Sequence, residues 1–154
     1  MSLMEKTPFV LNITFAFIIN SSSYPAFTAT VSFEGEISLG DNQPLVFDRV
    51  ITNIGGFYHS TTGIFTAPIA GIYIFYASLK VNPEKHMYLK IVEDGQWIDD
   101  IHSDGRGDTS TESVSETWIL SLEEGSEVWI ATEVAGDVLG WGHTQFSGFL
   151  LHNV

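Results

Sequence analysis

Short runs of β-branched and aromatic residues recur along the chain, separated by Gly, Asn, Asp, Ser and Pro at intervals of about ten residues. Within several runs apolar and polar residues alternate, which is the period of a strand with one buried face. No segment has the 3.6-residue period of a long amphipathic helix. The pattern predicts an all-β domain of sandwich or barrel type. The predicted strands cover residues 27–33, 45–47, 50–54, 72–81, 87–92, 96–101, 117–122, 128–132 and 145–151.

Turn residues predict two tight connections and one long loop. Asp94-Gly95 is a favoured pair for a two-residue hairpin, and 123–125 (Glu-Glu-Gly) predicts a second hairpin turn. The stretch 102–115 is polar, charged and without periodicity, so we expect an exposed loop there.

Several predicted strands are apolar on both faces, which a sheet with one face in water does not require. In the segment 72–79 one face carries Tyr, Phe, Ala and Leu and the other carries two Ile and a Tyr; 118–120, 128–130 and 149–151 behave alike. A second apolar face needs cover, and another copy of the same chain is the simplest cover. The pattern therefore predicts an oligomer. A central strand buried in a thick monomer is the alternative, and it explains one such strand more easily than four.

The apolar run at 9–19 has the length of a signal-peptide core and follows Lys6. Its apolar side chains alternate with Asn, Thr and Ala, which is typical of a strand. We therefore expect an N-terminal extension over 1–23 with an extra strand at 11–19. No run approaches the roughly 18 apolar residues that span a bilayer, so membrane insertion is not expected.

Composition and charge narrow the function. The 154 residues are 44% apolar and 13% aromatic, enough for one well-packed domain. Six Lys and Arg oppose 19 Asp and Glu, a net charge of −13, which argues against nucleic acid and anionic membranes as partners. The same charge favours cations, calcium among them. The absence of Cys excludes disulfides and thiol chemistry. Two glycosylation sequons, at Asn12 and Asn20, fit secretion.

The segment 47–75 resembles the signature of the C1q globular-domain family, in which spaced aromatics surround an Asn or Asp and end in Gly-x-Tyr-x-Phe. The similarity continues through "PAFTATVS" at 25–32, "VFDRVITNIGGFY" at 46–58, "TGIFTAPIAGIYIF" at 62–75 and "FSGFLLH" at 146–152. One position departs from the pattern, because Ala77 stands where the family usually has an aromatic. The matching signature residues are Phe47, Asn53, Tyr58, Phe65, Gly71, Tyr73 and Phe75.

The resemblance implies a C1q globular domain over 24–154, folded as a ten-stranded antiparallel jelly-roll sandwich and assembled as a tumour-necrosis-factor-like homotrimer. Without a collagen tract, the chain is similar to free-standing, globular-head members of the family. These imply a secreted, extracellular protein of innate immunity that recognises carbohydrate or other patterns on surfaces. Some members of the family have a calcium site near the trimer apex, and the resemblance implies that such a site is possible here.

Signals of catalysis are missing from the sequence. The five His residues have no metal-ligand spacing, and no nucleophile elbow or phosphate-binding Gly-Lys-Ser/Thr loop occurs. Acidic residues are plentiful, but none is marked as a general acid. We expect a binding protein and not an enzyme.

Two acidic segments are candidate calcium sites, because calcium prefers carboxylate and carbonyl oxygens on loops. Hydrated surface carboxylates with no bound ion are the alternative for each residue. The candidate metal ligands are Glu93, Asp94, Asp99, Asp100, Glu133 and Asp137.

Two aromatic clusters are candidate ligand sites, because sugars bind to aromatic faces flanked by hydrogen-bonding groups. Packing in the core or at a trimer seam is the alternative for the tryptophans, and it applies most to Trp118 and Trp129. The first cluster is Trp97, His102, Asp104 and Arg106, and the second is Trp141 and His143.

The triplet Arg106-Gly107-Asp108 could be read by an integrin, although such triplets often arise by chance in loops. The leading hypothesis is a trimeric, lectin-like recognition protein. The alternatives are a cytokine-like receptor ligand that uses the grooves between subunits and a structural or adhesive metal-binding trimer.

Overall fold

The structure is a computed structural model that describes residues 24–154. Every regular element in this range is a β-strand, as the alternating pattern predicts. The predicted strand at 11–19 and the sequons at Asn12 and Asn20 lie outside the described residues. The strands are β1 (Ala26–Thr30), β2 (Glu36–Leu39), β3 (Arg49–Ile54), β4 (Tyr58–His59), β5 (Ile64–Thr66), β6 (Gly71–Val81), β7 (His86–Glu93), β8 (Gln96–Asp104), β9 (Glu112–Leu122), β10 (Glu127–Thr132), β11 (Gly136–Leu139) and β12 (Gln145–Asn153).

Two five-stranded antiparallel sheets form the sandwich. The first sheet has the order β3-β1-β12-β6-β9, and the second has the order β4-β5-β10-β7-β8. These ten strands are the predicted jelly roll, and a separate pair, β2 with β11, brings the total in residues 24–154 to twelve. The two large sheets bury their facing sides against each other, which is the usual arrangement of a β-sandwich.

The interior strand β6 of the first sheet has apolar residues on both of its faces, as predicted. Tyr73 and Phe75 are fully buried and point to the core, as do Ala77 and Leu79 at the following inward positions. Between them, the outward residues of β6 are half-buried in the single subunit. The outward residues are Ile72, Ile74 and Tyr76. A thick monomer therefore does not cover this face, and the surface is available to another copy.

Stacked aromatic rings fill the core between the sheets. Phe27 lies parallel to Tyr58 at a centroid distance of 4.6 Å and also stacks on Phe65 at 5.2 Å. Phe75 stacks on Phe146 at 5.9 Å, which joins neighbouring strands of the first sheet. Burial of such side chains stabilises a fold by about 1.5–3 kcal/mol each. The core therefore contains eight of the 20 aromatic residues of the sequence.

Hydrogen bonds explain the spacing of three signature residues. The Asn53 side chain donates to the Tyr58 carbonyl over 2.9 Å and accepts from the Tyr58 backbone N–H at 3.2 Å. The buried Tyr58 hydroxyl then donates to the Phe47 carbonyl over 3.0 Å. These bonds close the turn after β3 and fix it to the preceding segment. Polar groups that are buried here are therefore satisfied.

The predicted loop at 102–115 is wrong, because only residues 105–111 lie between β8 and β9. Ser103 points inwards, is buried, and donates a hydrogen bond to the Glu112 carboxylate at 2.9 Å. Both strands lie at an edge of their sheet, and their residues 102–104 and 112–115 are mostly polar. Because these residues are polar, the sequence pattern did not predict that they belong to β8 and β9.

One predicted hairpin is confirmed and the other is wrong. Asp94 and Gly95 have φ of 48° and 83° and join the paired strands β7 and β8. Positive φ at both positions is what a type I′ turn requires. The turn at 123–126 closes with a hydrogen bond of 3.1 Å but joins β9 of the first sheet to β10 of the second. Local turn residues do not distinguish a hairpin from a crossing between sheets.

Three smaller features differ from the prediction. Residues 45–47 are not a ladder strand, although the Leu45 N–H donates to the Ile130 carbonyl at 2.9 Å and both side chains are buried. Strands β2 and β11 are missed, because each has four residues and little alternation. Phe33 follows the end of β1 and is 58% exposed, although the alternation in 27–33 predicts it inward.

Candidate ligand-binding surface

The outward side of β7, β8 and β10 forms a surface rich in aromatic and charged residues, which we call the outer surface of the second sheet. Residues that pair across antiparallel strands share a face. Trp129 pairs with Val92, which pairs with Trp97, and the next outward pairs along β7 and β8 follow in order. The further pairs are Lys90–Asp100, Tyr88–His102 and His86–Asp104. Three residues of the first predicted ligand cluster therefore lie along one side of β8, and Arg106 follows just beyond it.

A cleft of about 380 Å³ lies on this surface. We call it the aromatic pocket, and it is lined by Tyr88, Trp97, Asp100, His102, Glu133 and Val134. The His102 ring stacks on Tyr88 at 5.4 Å with an interplanar angle of 22°. The pocket is thus a concave site with aromatic walls and a few polar groups, the usual form of a small-molecule site.

Backbone and side-chain contacts fix the acidic groups of the pocket. The Glu133 N–H donates to the Tyr88 carbonyl at 2.9 Å, which holds residue 133 beside the ring pair. The Asp100 carboxylate lies 3.8 Å from Nδ1 of His102. Trp97 is 53% exposed, so its indole is open to a ligand and is not a core side chain.

Trp97 also contacts a cation of its own chain. Nζ of Lys90 lies 5.8 Å from the centre of the Trp97 ring. A second cleft, of about 410 Å³, is lined by both of these side chains and by Trp129, which is half-buried.

The sequence did not predict Tyr88 and Val134 as residues of the aromatic pocket. The alternation of β7 opposite β8 is the signal that places Tyr88 beside His102.

Asp104 and Arg106 are bound to each other. Nε of Arg106 donates to Asp104 at 2.6 Å, and this hydrogen bond lowers the pKa of the Asp104 carboxyl to about 2. The same contact raises the pKa of Arg106 above its usual value. Within the predicted integrin triplet, Gly107 has φ of 87° and its N–H donates to Glu84 at 3.3 Å. The Arg106 guanidinium is therefore held by Asp104 in this exposed loop.

The second predicted cluster lies in the turn between β11 and β12. Trp141 has φ of 55° and is 52% exposed, and Cζ of Arg49 lies 5.5 Å from its ring centre. His143 is exposed, and its N–H donates to the Gly140 carbonyl at 3.2 Å. Neither residue lines the aromatic pocket. The two predicted clusters are therefore separate places on the subunit.

Three of the predicted metal ligands are engaged in contacts within the fold. Asp94 accepts from the backbone N–H of Glu127 at 2.8 Å. Asp99 accepts from Nε1 of Trp118 at 2.8 Å, and Asp137 accepts from Lys85 at 2.9 Å. These carboxylates join β8, β10 and β11 to neighbouring strands.

The other three predicted ligands differ in their surroundings. Burial, followed by the nearby charge of Asp94, raises the pKa of Glu93. Asp100 and Glu133 share the aromatic pocket. In residues 24–154 of a single chain, no three His, Asp or Glu side chains are grouped closely enough to hold a metal ion. The calcium site stays a prediction.

The outward side of the first sheet carries a row of apolar residues that crosses all five strands. Strand pairing aligns the row from β3 to β9, and we call it the apolar row. Its members are Ile54, Ala26, Phe149, Ile74 and Ile119. Ile119 is 68% exposed and Phe149 is 43% exposed in the subunit. Single exposed apolar residues are ordinary, but a continuous row is typical of an interface.

A row of hydroxyl-bearing residues lies beside the apolar row. Ser147 donates to Thr28 at 3.1 Å between β12 and β1. The remaining members, Thr52, Tyr76 and Thr117, are aligned by the same strand pairing. The first sheet thus presents an apolar band next to a polar band that can form hydrogen bonds.

Comparison with known proteins identifies the family. The family model described as the C1q domain matches residues 26–151. The chain therefore belongs to the C1q domain family. Proteins of this family are generally secreted, trimeric and ligand-binding. The structure also contains no helix, within the range it describes, that is long and apolar enough to cross a membrane.

Two curated relatives and two solved structures illustrate the similarity. Human complement C1q tumor necrosis factor-related protein 3 is 32% identical over 117 residues, which are 71% of this chain and 45% of the relative. Zebrafish Caprin-2 is 31% identical over 115 residues, 72% of this chain and 12% of that protein. The chain thus spans less than half the length of these relatives.

Solved structures show the fold. The globular domain of zebrafish complement 1qA has a TM-score of 0.67 at 19% identity, over 85% of this chain and 99% of that one. Eiger TNF from S. frugiperda has a TM-score of 0.65 at 10% identity, over 85% of this chain and 94% of that one. At these identities the likeness supports the jelly-roll fold alone.

Proposed function

We propose that the chain is a secreted homotrimeric recognition domain that binds carbohydrate or other repeated surface ligands through the outer surface of the second sheet. The observation that carries this proposal is the aromatic pocket, where the exposed indole of Trp97 lies beside hydrogen-bonding carboxylates on a rigid sheet. A sugar ring can stack its apolar face on an indole while its hydroxyls donate to carboxylates. The arrangement supports recognition without requiring catalysis.

The apolar row supports assembly through the first sheet. Burying a side chain such as Ile119 or Phe149 contributes about 1.5–3 kcal/mol before the cost of association. The row lies on the opposite side of the sandwich from the aromatic pocket. A trimer that buries the first sheet therefore leaves three copies of the pocket facing solvent.

Three identical sites give avidity to weak contacts. A single small pocket of this kind binds one sugar unit modestly, whereas a trimer on a repeated surface converts later contacts into intramolecular events. Calcium binding is a separate part of the proposal. Its ligands would come from the predicted acidic residues together with oxygen ligands of other subunits, because the aromatic pocket alone supplies only two carboxylates, Asp100 and Glu133.

The receptor-ligand alternative is supported only by the shared jelly-roll fold. The adhesive alternative is less favoured, because the Arg106 guanidinium that an integrin would read is paired with Asp104. Equal cell adhesion by the parent and by Asp108→Glu would dispose of the adhesive role.

A glycan array tests the proposal, with the trimeric parent compared with Trp97→Ala and Trp141→Ala. Both tryptophans are about half exposed, so the second variant is a matched control. We expect one class of glycan to bind the parent and Trp141→Ala but not Trp97→Ala. Repeating the array with a calcium chelator shows whether a cation takes part. If the parent binds no glycan with or without the chelator, or if only Trp141→Ala loses glycan binding, the proposal is contradicted.

A further inference from the structure

We propose that the aromatic pocket binds the organic ammonium group of a ligand, such as a quaternary or methylated amine. This inference rests on the proposal that the outer surface of the second sheet is the ligand-binding surface, and it names the chemistry which that surface selects. It follows from the combination of π faces, carboxylates and aliphatic surface in a single cleft.

The walls of the pocket offer π faces to a cation. Ammonium groups are attracted to aromatic faces within about 6 Å, most strongly to Trp. The Trp97 indole already makes a cation–π contact within the chain, because Nζ of Lys90 lies 5.8 Å from its ring centre. Tyr88 and His102 supply a stacked ring pair at the other side of the lining.

The charged residues that line the pocket are acidic. Asp100 and Glu133 both line it, and its lining includes no Lys or Arg, although Lys90 lies over the Trp97 ring and the Arg106 side chain contacts Tyr88. The chain as a whole carries a net charge of −13, so its field also attracts cations. An anionic ligand, such as a phosphate or a sialylated sugar acting through its carboxylate, would be repelled here.

The pocket also differs from a site for a hydrated metal ion. Calcium prefers six to eight oxygen ligands, whereas two carboxylates and three aromatic rings with Val134 form this lining. Alkyl groups on nitrogen pack well against such rings and against Val134, and they carry the positive charge without a tightly held water shell. A volume of about 380 Å³ suits a small organic cation.

Calorimetric titration of the assembled parent protein with choline tests the inference. The control ligand is 3,3-dimethylbutan-1-ol, which has the same shape and hydroxyl but carbon in place of the charged nitrogen. We expect choline to bind about tenfold or more tightly than this neutral compound, because cation–π and carboxylate contacts require the charge. Equal affinity for the two compounds would overturn the inference.

Substitutions locate the site. Trp97→Ala and the conservative Glu133→Gln each weaken choline binding by about tenfold, whereas Trp141→Ala leaves it unchanged. Circular dichroism and the oligomer mass confirm that the variants are folded and assembled. Choline binding that survives both Trp97→Ala and Glu133→Gln would overturn the inference.

The outcome is separable from that of the proposed function. Choline binding with a silent glycan array would support the ammonium site and contradict carbohydrate recognition. A neutral glycan class that binds through Trp97, with no preference for choline over its neutral counterpart, would support carbohydrate recognition and overturn the ammonium site.

Discussion

Ile74 and Ile119 lie opposite each other on β6 and β9, and both point away from the core of the subunit. Ile119 is 68% exposed, although it sits in the middle of one of the two longest strands. The pairing continues through Phe149 of β12, so the exposed side chains form one surface. The cost of leaving this surface in water is removed when another subunit covers it.

A charged side chain in the apolar row is expected to prevent assembly. Ile119→Asp places a carboxylate where the proposal buries the side chain, and an unpaired buried charge is costly. Because Ile119 is exposed in the subunit, the variant is expected to fold. In sedimentation velocity it is expected to sediment as a monomer.

Val134→Asp is the matched control, since Val134 is also an exposed apolar residue but lines the aromatic pocket. This variant is expected to remain assembled. An assembled Ile119→Asp variant, or a monomeric Val134→Asp variant, would show that subunits do not associate through the first sheet.

Gly148 is required by the close approach of β12 to the aromatic core. A Cβ at this position would lie 2.6 Å from Cδ1 of Phe75 and 2.8 Å from Cε1 of Phe27. Overpacking of this kind costs about 1–3 kcal/mol, so Gly148→Ala is expected to lower the free energy of unfolding by that amount. Urea denaturation at fixed protein concentration measures it. The neighbouring outward variant Ser147→Ala is expected to cost less than about 1 kcal/mol, and equal losses would contradict the packing argument.

The Tyr58 hydroxyl contributes to stability through a buried hydrogen bond to the Phe47 carbonyl. Tyr58→Phe keeps the ring in the aromatic stack but leaves that carbonyl unsatisfied, with an expected loss of about 1–2 kcal/mol. Thermal or urea unfolding of the variant measures the loss. An unchanged stability would show that water replaces the missing partner.

Asp137 makes the stability of the β2–β11 pair dependent on pH. Hydrogen bonds from Ser38 and then Lys85 lower the pKa of its carboxyl below 3.8 in the folded state. A lowered pKa stabilises the fold above the pKa of the unfolded chain, and the contribution is lost as pH falls through the folded value. The stability of the parent is therefore expected to exceed that of Asp137→Asn at pH 6, and the difference is expected to shrink as the pH falls below 3.8.

Urea unfolding of both proteins across this range measures the difference, and Asp108→Asn in the exposed loop controls for loss of a carboxylate. A difference between the parent and Asp137→Asn that stays constant as the pH falls below 3.8 would contradict the assignment.

The strand pattern predicted the sandwich because its buried positions alternate in sequence. Tyr73 and Phe75 show this most clearly, since core packing leaves a direct trace in every second residue. The same rule failed at 102–104 and 112–115, where the ends of two edge strands are mostly polar, because an edge strand need not bury both faces. It also failed at 123–126, because a turn has the same residues whether it stays in one sheet or crosses to another.

The candidate site was predictable only in part. His102 and Asp104 share a face of β8 because they are alternate residues, whereas Trp97 reaches this face only through the register shift between Ile91 and Val92, which the sequence does not reveal. Glu133 was predicted as a metal ligand, and its position beside Tyr88 depends on a bond between β7 and the residue after β10. Contacts between strands that are distant in sequence leave no periodic signal in the sequence. The aromatic pocket could therefore be recognised only from the structure.

Assembly through the first sheet is the central claim, and the mass of the parent protein in solution tests it most directly. Light scattering coupled to size-exclusion chromatography at micromolar concentration is expected to give three times the subunit mass of 17.0 kDa. A stable species of 17.0 kDa would leave Ile74 and Ile119 facing water and would contradict the account.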